Sequence, residues 1–118
     1  MRRTWPLAAA LFLWTVPAAG HAFLDHADPR VGSTVEAPGA VTLFFTEPIE
    51  AAFSRLEVAD AKGKKVESGP PRHPSPDRLE VTLPTLPPGE YTVRWAVVSI
   101  DTHATEGSFT FSVKEPRR

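Results

Sequence analysis

Cysteine is absent from this sequence of 118 residues, and methionine occurs once, at position 1. Without cysteine the chain forms no disulfide and offers no thiolate as a metal ligand or nucleophile. Long basic runs are also missing, apart from the C-terminus with its Lys and Arg residues, which argues against a nucleic-acid partner. We find no Ser-His-Asp order, glycine-rich phosphate loop or His-x-x-x-His helix, so hydrolase and nucleotide-binding functions have no support.

The N-terminal segment has the order of a secretory signal peptide. Arg2 and Arg3 precede a mainly apolar run, Leu7 to Val16, and the small residues Ala18 to Gly20 follow it. A basic start, an apolar middle and a small-residue site are typical of such peptides. The apolar run is about half of the ~20 residues that span a bilayer. We therefore predict a cleaved signal peptide at residues 1–20 rather than a permanent membrane anchor.

The cleavage bond decides which residue begins the mature protein. The small-x-small rule is met before His21 and again before Phe23, so the motif alone leaves both bonds open. Cleavage before His21 leaves residues 21–118, a chain of 98 residues with 11 basic and 14 acidic side chains and a formal charge of −3. That length suits one small domain with one core.

The mature chain is a succession of short segments rich in Val, Phe, Thr and Leu, separated by Pro, Gly, Ser and Asp clusters. No segment has the pattern of a long amphipathic helix. The clearest predicted strands are Ala40 to Glu47, Ser54 to Ala59, Arg78 to Leu83, Glu90 to Ser99 and Gly107 to Val113, with weaker ones at Ala22 to Ala27 and Lys64 to Glu67. About seven strands with alternating apolar positions predict an all-β, immunoglobulin-like antiparallel sandwich.

The stretch S-I-D-T-H-A, Ser99 to Ala104, ends the strongest predicted strand. If the strand continues through it, Asp101 and His103 point to the same face, because strand side chains alternate. A carboxylate and an imidazole side by side can converge on one metal ion. The motif alone fits a solvated turn or a hydrogen-bonded pair at least as well, and that alternative stays open.

His21 adds two nitrogen ligands if it begins the mature chain. Its α-amine and ring Nδ1 can close a six-membered chelate ring, and the ordinary pKa of an α-amine, about 8, makes its deprotonation inexpensive when a metal competes. Together with Asp101 and His103, this gives three nitrogens and one oxygen. Such a set suits tetragonal Cu(II) better than structural zinc or calcium, and copper also outranks nickel and zinc in affinity.

Three further polar residues are weaker candidates. His26, in L-D-H-A-D-P, is predicted to face solvent and is a candidate auxiliary ligand. His73 lies in the proline-rich connection Gly69 to Pro76 and is predicted to be a surface residue. Glu47 ends an apolar strand and, by composition alone, is an ordinary carboxylate at the rim of the sandwich.

Four stretches together resemble the CopC-type copper-resistance proteins of the bacterial periplasm: H-A-F-L-D-H-A-D-P, V-T-L-F-F-T-E-P, L-P-P-G-E-Y-T-V-R-W-A-V-V-S-I-D-T-H and a final G-x-F-x-F-x-V. The likeness runs from His21 to Val113 and implies a small Greek-key β-sandwich. It also implies one Cu(II) ion bound by His21, Asp101 and His103, and so favours cleavage before His21. The glutamate of F-x-E-P, here Glu47, is implied to lie near the amino terminus and hold the amine.

Two departures from that family's pattern qualify the resemblance. The methionine-rich segment of members that bind Cu(I) has no counterpart here, so a Cu(II)-only protein is expected. Thr102 replaces the glycine of the common Asp-Gly-His, which excludes a glycine-dependent turn and favours an extended conformation at this position.

The resemblance implies a periplasmic Cu(II) carrier rather than an enzyme. We expect a monomer, without an integral membrane segment after cleavage, that sequesters copper or passes it to a CopD-like inner-membrane copper permease. A histidine-brace copper oxidase is the first alternative, although the chain is short and Asp101 would fill a coordination position that oxygen chemistry needs. A metal-free structural β-sandwich is the second.

Overall fold

The computed structural model of the protein describes residues 22–116, which form seven strands and one short 3₁₀ helix. The strands are β1 (Leu24–Asp28), β2 (Thr34–Val35), β3 (Ala40–Phe45), β4 (Arg55–Ala59), β5 (Arg78–Thr82), β6 (Gly89–Val98) and β7 (Ala104–Val113), and the helix is Ala51–Phe53. Within this part of the chain there is no α-helix and no helix long and apolar enough to cross a membrane.

The strands form two sheets. One has three strands in the order β1-β3-β5, and the other has four in the order β2-β7-β6-β4. All described pairings are antiparallel except that of the two-residue β2 with β7, which is parallel. The predicted all-β, immunoglobulin-like sandwich is therefore confirmed.

The core lies between the sheets because alternate side chains of each long strand point inward. The main inward-facing set, all 9% exposed or less, comprises Val41, Leu43, Phe45, Tyr91, Val93, Trp95, Val97, Phe109, Phe111 and Val113. Full burial of one such side chain contributes about 1.5–3 kcal/mol. Phe45 of one sheet meets Trp95 of the other edge to face at 5.3 Å between ring centroids. Gly107 makes room for that indole, since a Cβ there would lie 2.7 Å from Trp95 Cζ2.

The five clearest strand predictions are confirmed, with small differences at their ends. The strand predicted at Lys64 to Glu67 is wrong: only Lys65 makes a single bridge, to Ala59 of β4. The reason is a side-chain contact with β4, because the buried Glu67 carboxylate accepts the Val58 amide at 2.9 Å and so takes the place of a ladder bond. The predicted signal peptide, residues 1–20, and His21 lie outside the described residues.

Candidate metal centre

Strands β6 and β7 are joined by a tight loop that carries both predicted side-chain ligands. The Ser99 amide donates to the His103 carbonyl at 2.9 Å, and the Thr102 amide donates to the Ser99 carbonyl at 2.8 Å. These bonds close a hairpin with three loop residues, 100–102. Hairpins of this length commonly end in a residue with left-handed backbone angles, and Thr102 has φ 70°.

The extended conformation predicted at Thr102 is therefore wrong. A β-branched residue is disfavoured at positive φ, at a cost of about 1–2 kcal/mol, yet the length of the hairpin loop requires a left-handed residue at its last position. The Thr102 hydroxyl also donates to the Asp101 carbonyl, a local bond that accompanies the turn. Asp101 and His103 meet because the chain turns, and not because a strand continues through them.

Ser99 organises the loop from beneath. It is the one buried polar residue among the described core positions, at 1% exposure. Its hydroxyl donates to the Asp101 carboxylate and accepts the His103 amide at 3.3 Å. Donation from Ser99, followed by the hydrogen bond from His103, lowers the pKa of Asp101 below its ordinary value of 3.8. The loop thus favours the ionised carboxylate, the form that binds a metal.

Asp101 and His103 are in direct contact at the surface. Oδ1 of Asp101 lies 3.2 Å from Nδ1 of His103, and their side chains are 42% and 55% exposed. The carboxylate oxygen accepts, so Nδ1 of His103 carries the proton, and a metal would bind this ring through Nε2. Within residues 22–116 no group of three or more His, Asp or Glu residues could hold a metal, and the described chain supplies this pair.

Glu47 lies at the same end of the sandwich. The chain that follows it pairs with the entrance to the loop: the Glu50 amide donates to the Val98 carbonyl at 2.7 Å, and the Ile100 amide to the Pro48 carbonyl at 3.3 Å. Glu47, Pro48, Ile100 and Asp101 line a shallow depression of about 160 Å³. The structure thus brings the predicted outer carboxylate to the side of Asp101.

The first described residues are anchored beside this loop. Ala22 is fully buried, and its carbonyl accepts the Thr105 hydroxyl at 2.6 Å. Phe23 and Thr46 exchange two bonds, from the Phe23 amide to Thr46 Oγ1 at 3.0 Å and from the Thr46 amide to the Phe23 carbonyl at 2.9 Å. Thr105 follows His103 by two residues, so the described chain begins next to the candidate pair Asp101 and His103.

The other two described histidines lie elsewhere on the surface. Within the described chain, the His26 ring contacts Asp25 and Phe44 on the outer face of the three-stranded sheet. His73 is exposed, and its Nε2 lies 3.1 Å from the Pro76 carbonyl oxygen. Neither of these two rings contacts Asp101 or His103.

Sequence reasoning missed two residues that shape the centre, Ser99 and Thr105. Ser99 follows the alternating apolar residues of β6 at an inward position, so a hydroxyl there was a signal that a buried polar group needs a partner. Thr105 bonds to Ala22 across 83 residues of sequence, and no local sequence pattern predicts such a contact.

Comparisons with known proteins agree with this architecture. A family model described as the CopC domain matches residues 24–114. Protein YobA of Escherichia coli (strain K12) is 40% identical over 98 residues, which cover 80% of this chain and 79% of that protein.

Two solved structures are similar over most of the described chain. The crystal structure of CopC from Methylosinus trichosporium OB3b has 34% identity and a TM-score of 0.74, covering 80% of this chain and 94% of that one. PcoC, a methionine-rich copper resistance protein from Escherichia coli, has 31% identity and a TM-score of 0.73, covering 80% and 99%. A family model that spans most of the chain, together with these relatives, shows that the protein belongs to the CopC family.

Proposed function

We propose that the protein is a periplasmic Cu(II) carrier that binds one Cu(II) ion and either sequesters it or passes it to an inner-membrane copper permease. The observation that carries the proposal is the contact between Asp101 and His103, 3.2 Å apart, beside the anchored start of the described chain. Similar proteins with names or descriptions that refer to copper resistance support copper as the cargo.

The proposed ligands are the α-amine and ring nitrogen of His21, the His103 ring and the Asp101 carboxylate. Consecutive Cα atoms are 3.8 Å apart, and Ala22 is bonded to Thr105, two residues beyond His103. That anchor limits how far a free His21 amine can lie from the loop. Signal peptide cleavage before His21 is part of the proposal, because a longer N-terminus would convert the amine into an amide.

Glu47 is the proposed partner of the amine. It borders the same depression as Asp101, and it follows Thr46, which bonds to Phe23. A carboxylate at this position can accept a hydrogen bond from the His21 amine and orient it. Outer carboxylates of this kind typically change metal affinity by 10- to 100-fold.

The oxidation state of the cargo follows from the donor atoms. Imidazole, amine and carboxylate suit Cu(II), whereas soft sulfur ligands select Cu(I). PcoC is described as methionine rich, but the single methionine here is Met1, which leaves with the proposed signal peptide. We expect reduction to weaken binding and so to provide a route for release to a partner.

Replacing the carboxylate ligand tests the proposal. Asp101→Asn keeps the shape of the side chain and an oxygen that can accept from Ser99, but it removes the charge. We expect the exported protein to bind Cu(II) at least ~10-fold more weakly, by analogy with the cost of smaller changes around metal ligands. Asp77→Asn is the matched control, since Asp77 is about half exposed. An equal loss of Cu(II) affinity in both variants, or no loss in Asp101→Asn, would show that this loop is not part of the copper site.

A further inference from the structure

His26 is an exposed histidine with a fixed orientation. Its ring stacks on Phe44 of the neighbouring strand, with centroids 4.1 Å apart and planes 8° from parallel. Arg78 of β5 places its Cζ 4.8 Å from the centre of the same Phe44 ring. The His26 side chain is nevertheless 58% exposed. The outer face of the three-stranded sheet therefore presents a histidine whose ring plane is set by packing.

A β-bulge supplies the carboxylate that orients this ring further. The pairing of β1 with β3 shifts between Leu24 and His26, so Asp25 is the extra residue. Bulges redirect side chains from one face of a sheet to another. Here Asp25 is exposed rather than directed into the core, and its Oδ2 lies 2.7 Å from Nδ1 of His26.

The contact with Asp25 decides which ring nitrogen can bind a metal. A carboxylate oxygen accepts, so Nδ1 of His26 carries the proton and donates. The lone pair then lies on Nε2, which has no hydrogen-bond partner within residues 22–116. A histidine that donates one N–H to a carboxylate and offers its other nitrogen is the usual arrangement around metal-binding imidazoles.

Asp28 lies on the same face as His26, two residues along β1. Each strand residue advances the chain by about 3.3 Å, so the two Cα atoms are separated by roughly 7 Å, and both side chains can reach a common ion. The Asp28 side chain is exposed and, in the described part of the chain, makes no hydrogen bond or ion pair. His26 and Asp28 thus repeat, in reverse order, the pairing of a carboxylate with an imidazole.

We propose that Nε2 of His26 and the carboxylate of Asp28 form a second, weaker site for Cu(II), with Asp25 as a positioning residue. The site is separate from the proposed carrier site, because His26 pairs with Phe44 inside β3, whereas Glu47 lies beyond the end of that strand at Phe45. Only two protein donors are present, and water fills the remaining positions. Such an open site collects copper at high concentration and exchanges it readily.

The test is a titration of the exported protein with Cu(II) beyond one equivalent, followed by electron paramagnetic resonance. The expected result is a second saturable signal that His26→Gln removes and that His73→Gln, a matched histidine control, leaves unchanged. Asp25→Asn should weaken the second equivalent by ~10-fold without changing the melting temperature, which separates positioning of the ring from folding.

A second form of the protein keeps this result independent of the carrier proposal. One extra residue before His21 blocks the proposed amine ligand but leaves β1 intact, so the His26-dependent signal should persist. If the parent protein shows no saturable second equivalent, or if His26→Gln binds it as well as the parent does, the second site is overturned. If the His26-dependent signal appears while the first equivalent is insensitive to Asp101→Asn, the second site stands and the carrier proposal fails.

Discussion

Within residues 22–116, two histidines contact a carboxylate, and the two pairs differ in what surrounds them. Asp101 and His103 lie in a hydrogen-bonded loop supported by the buried Ser99. Asp25 and His26 lie on an open sheet face and are held by a bulge and by stacking on Phe44. In both, Nδ1 of the imidazole contacts a carboxylate oxygen.

The difference shows that a contact between these two residue types is not enough to define a strong metal site. The loop pair lies next to Glu47 and to the anchored Ala22, so further donors can approach from two directions. On the face of the sheet pair, Asp28 is without a described side-chain partner, whereas the Glu80 carboxylate already accepts from Thr42 and Arg72. The number of donors that the fold brings to one point, rather than the motif itself, should therefore set the order of affinity.

The largest expected effect separates the two histidines. His103→Gln should weaken the first Cu(II) equivalent by more than the ~100-fold that outer-shell changes cause, because it removes a direct ligand. His26→Gln should leave the first equivalent unchanged within the error of a competitive titration. Similar losses in the two variants would mean that both histidines belong to one site and would break the comparison.

The next effect concerns the support beneath the loop. Ser99→Ala removes the hydroxyl that donates to Asp101, so copper affinity should fall by ~10- to 100-fold and the pKa of Asp101 should rise towards 3.8. Carbon-detected NMR titration of the carboxyl group measures that pKa. A pKa that does not rise, with unchanged affinity, would show that Ser99 does not organise the ligand.

The same pKa gives a pH dependence with a definite sign. Because folding lowers the pKa of Asp101 below 3.8, its ionised form stabilises the folded protein above that pH. The contribution is lost as the pH falls through the lowered folded-state value. The difference in unfolding free energy between the parent and Ser99→Ala that arises from this group should therefore shrink below about pH 3.8. Chemical denaturation at neutral and acidic pH measures it.

The smallest effect concerns the backbone of the loop. Thr102→Gly relieves a left-handed conformation and should raise the unfolding free energy by about 1 kcal/mol, with little change in copper affinity. Thr34→Gly in β2 is the control, and there glycine should lower stability by about 0.5–1 kcal/mol. Loss of stability in Thr102→Gly would contradict the hairpin geometry described for residues 99–103.

The sequence was most informative where one physical pattern dominates. Alternating apolar residues predicted the long strands, because burial of one face determines their positions. The strand at Lys64 to Glu67 was wrong because a side-chain carboxylate replaced a backbone bond, and β2 was missed because two residues carry too little pattern. These outcomes depend on contacts between distant segments, which a local pattern does not contain.

The candidate metal centre was likewise predictable only in part. Asp101 and His103 were paired correctly from their spacing, but for the wrong reason, since the positive φ of Thr102 follows from loop closure. The stacking of His26 on Phe44 depends on the strand register and on the bulge at Asp25. The ligand roles of His21, Asp101 and His103, the outer role of Glu47 and the permease partner stay predictions.

The most direct test of the carrier proposal is a competitive Cu(II) titration of protein that begins at His21, beside the same protein with one extra N-terminal residue. The account predicts tight binding of one ion that weakens by orders of magnitude when the extra residue is present, because the free amine becomes an amide. Equal affinity in the two forms would contradict it and would place the copper away from the N-terminus.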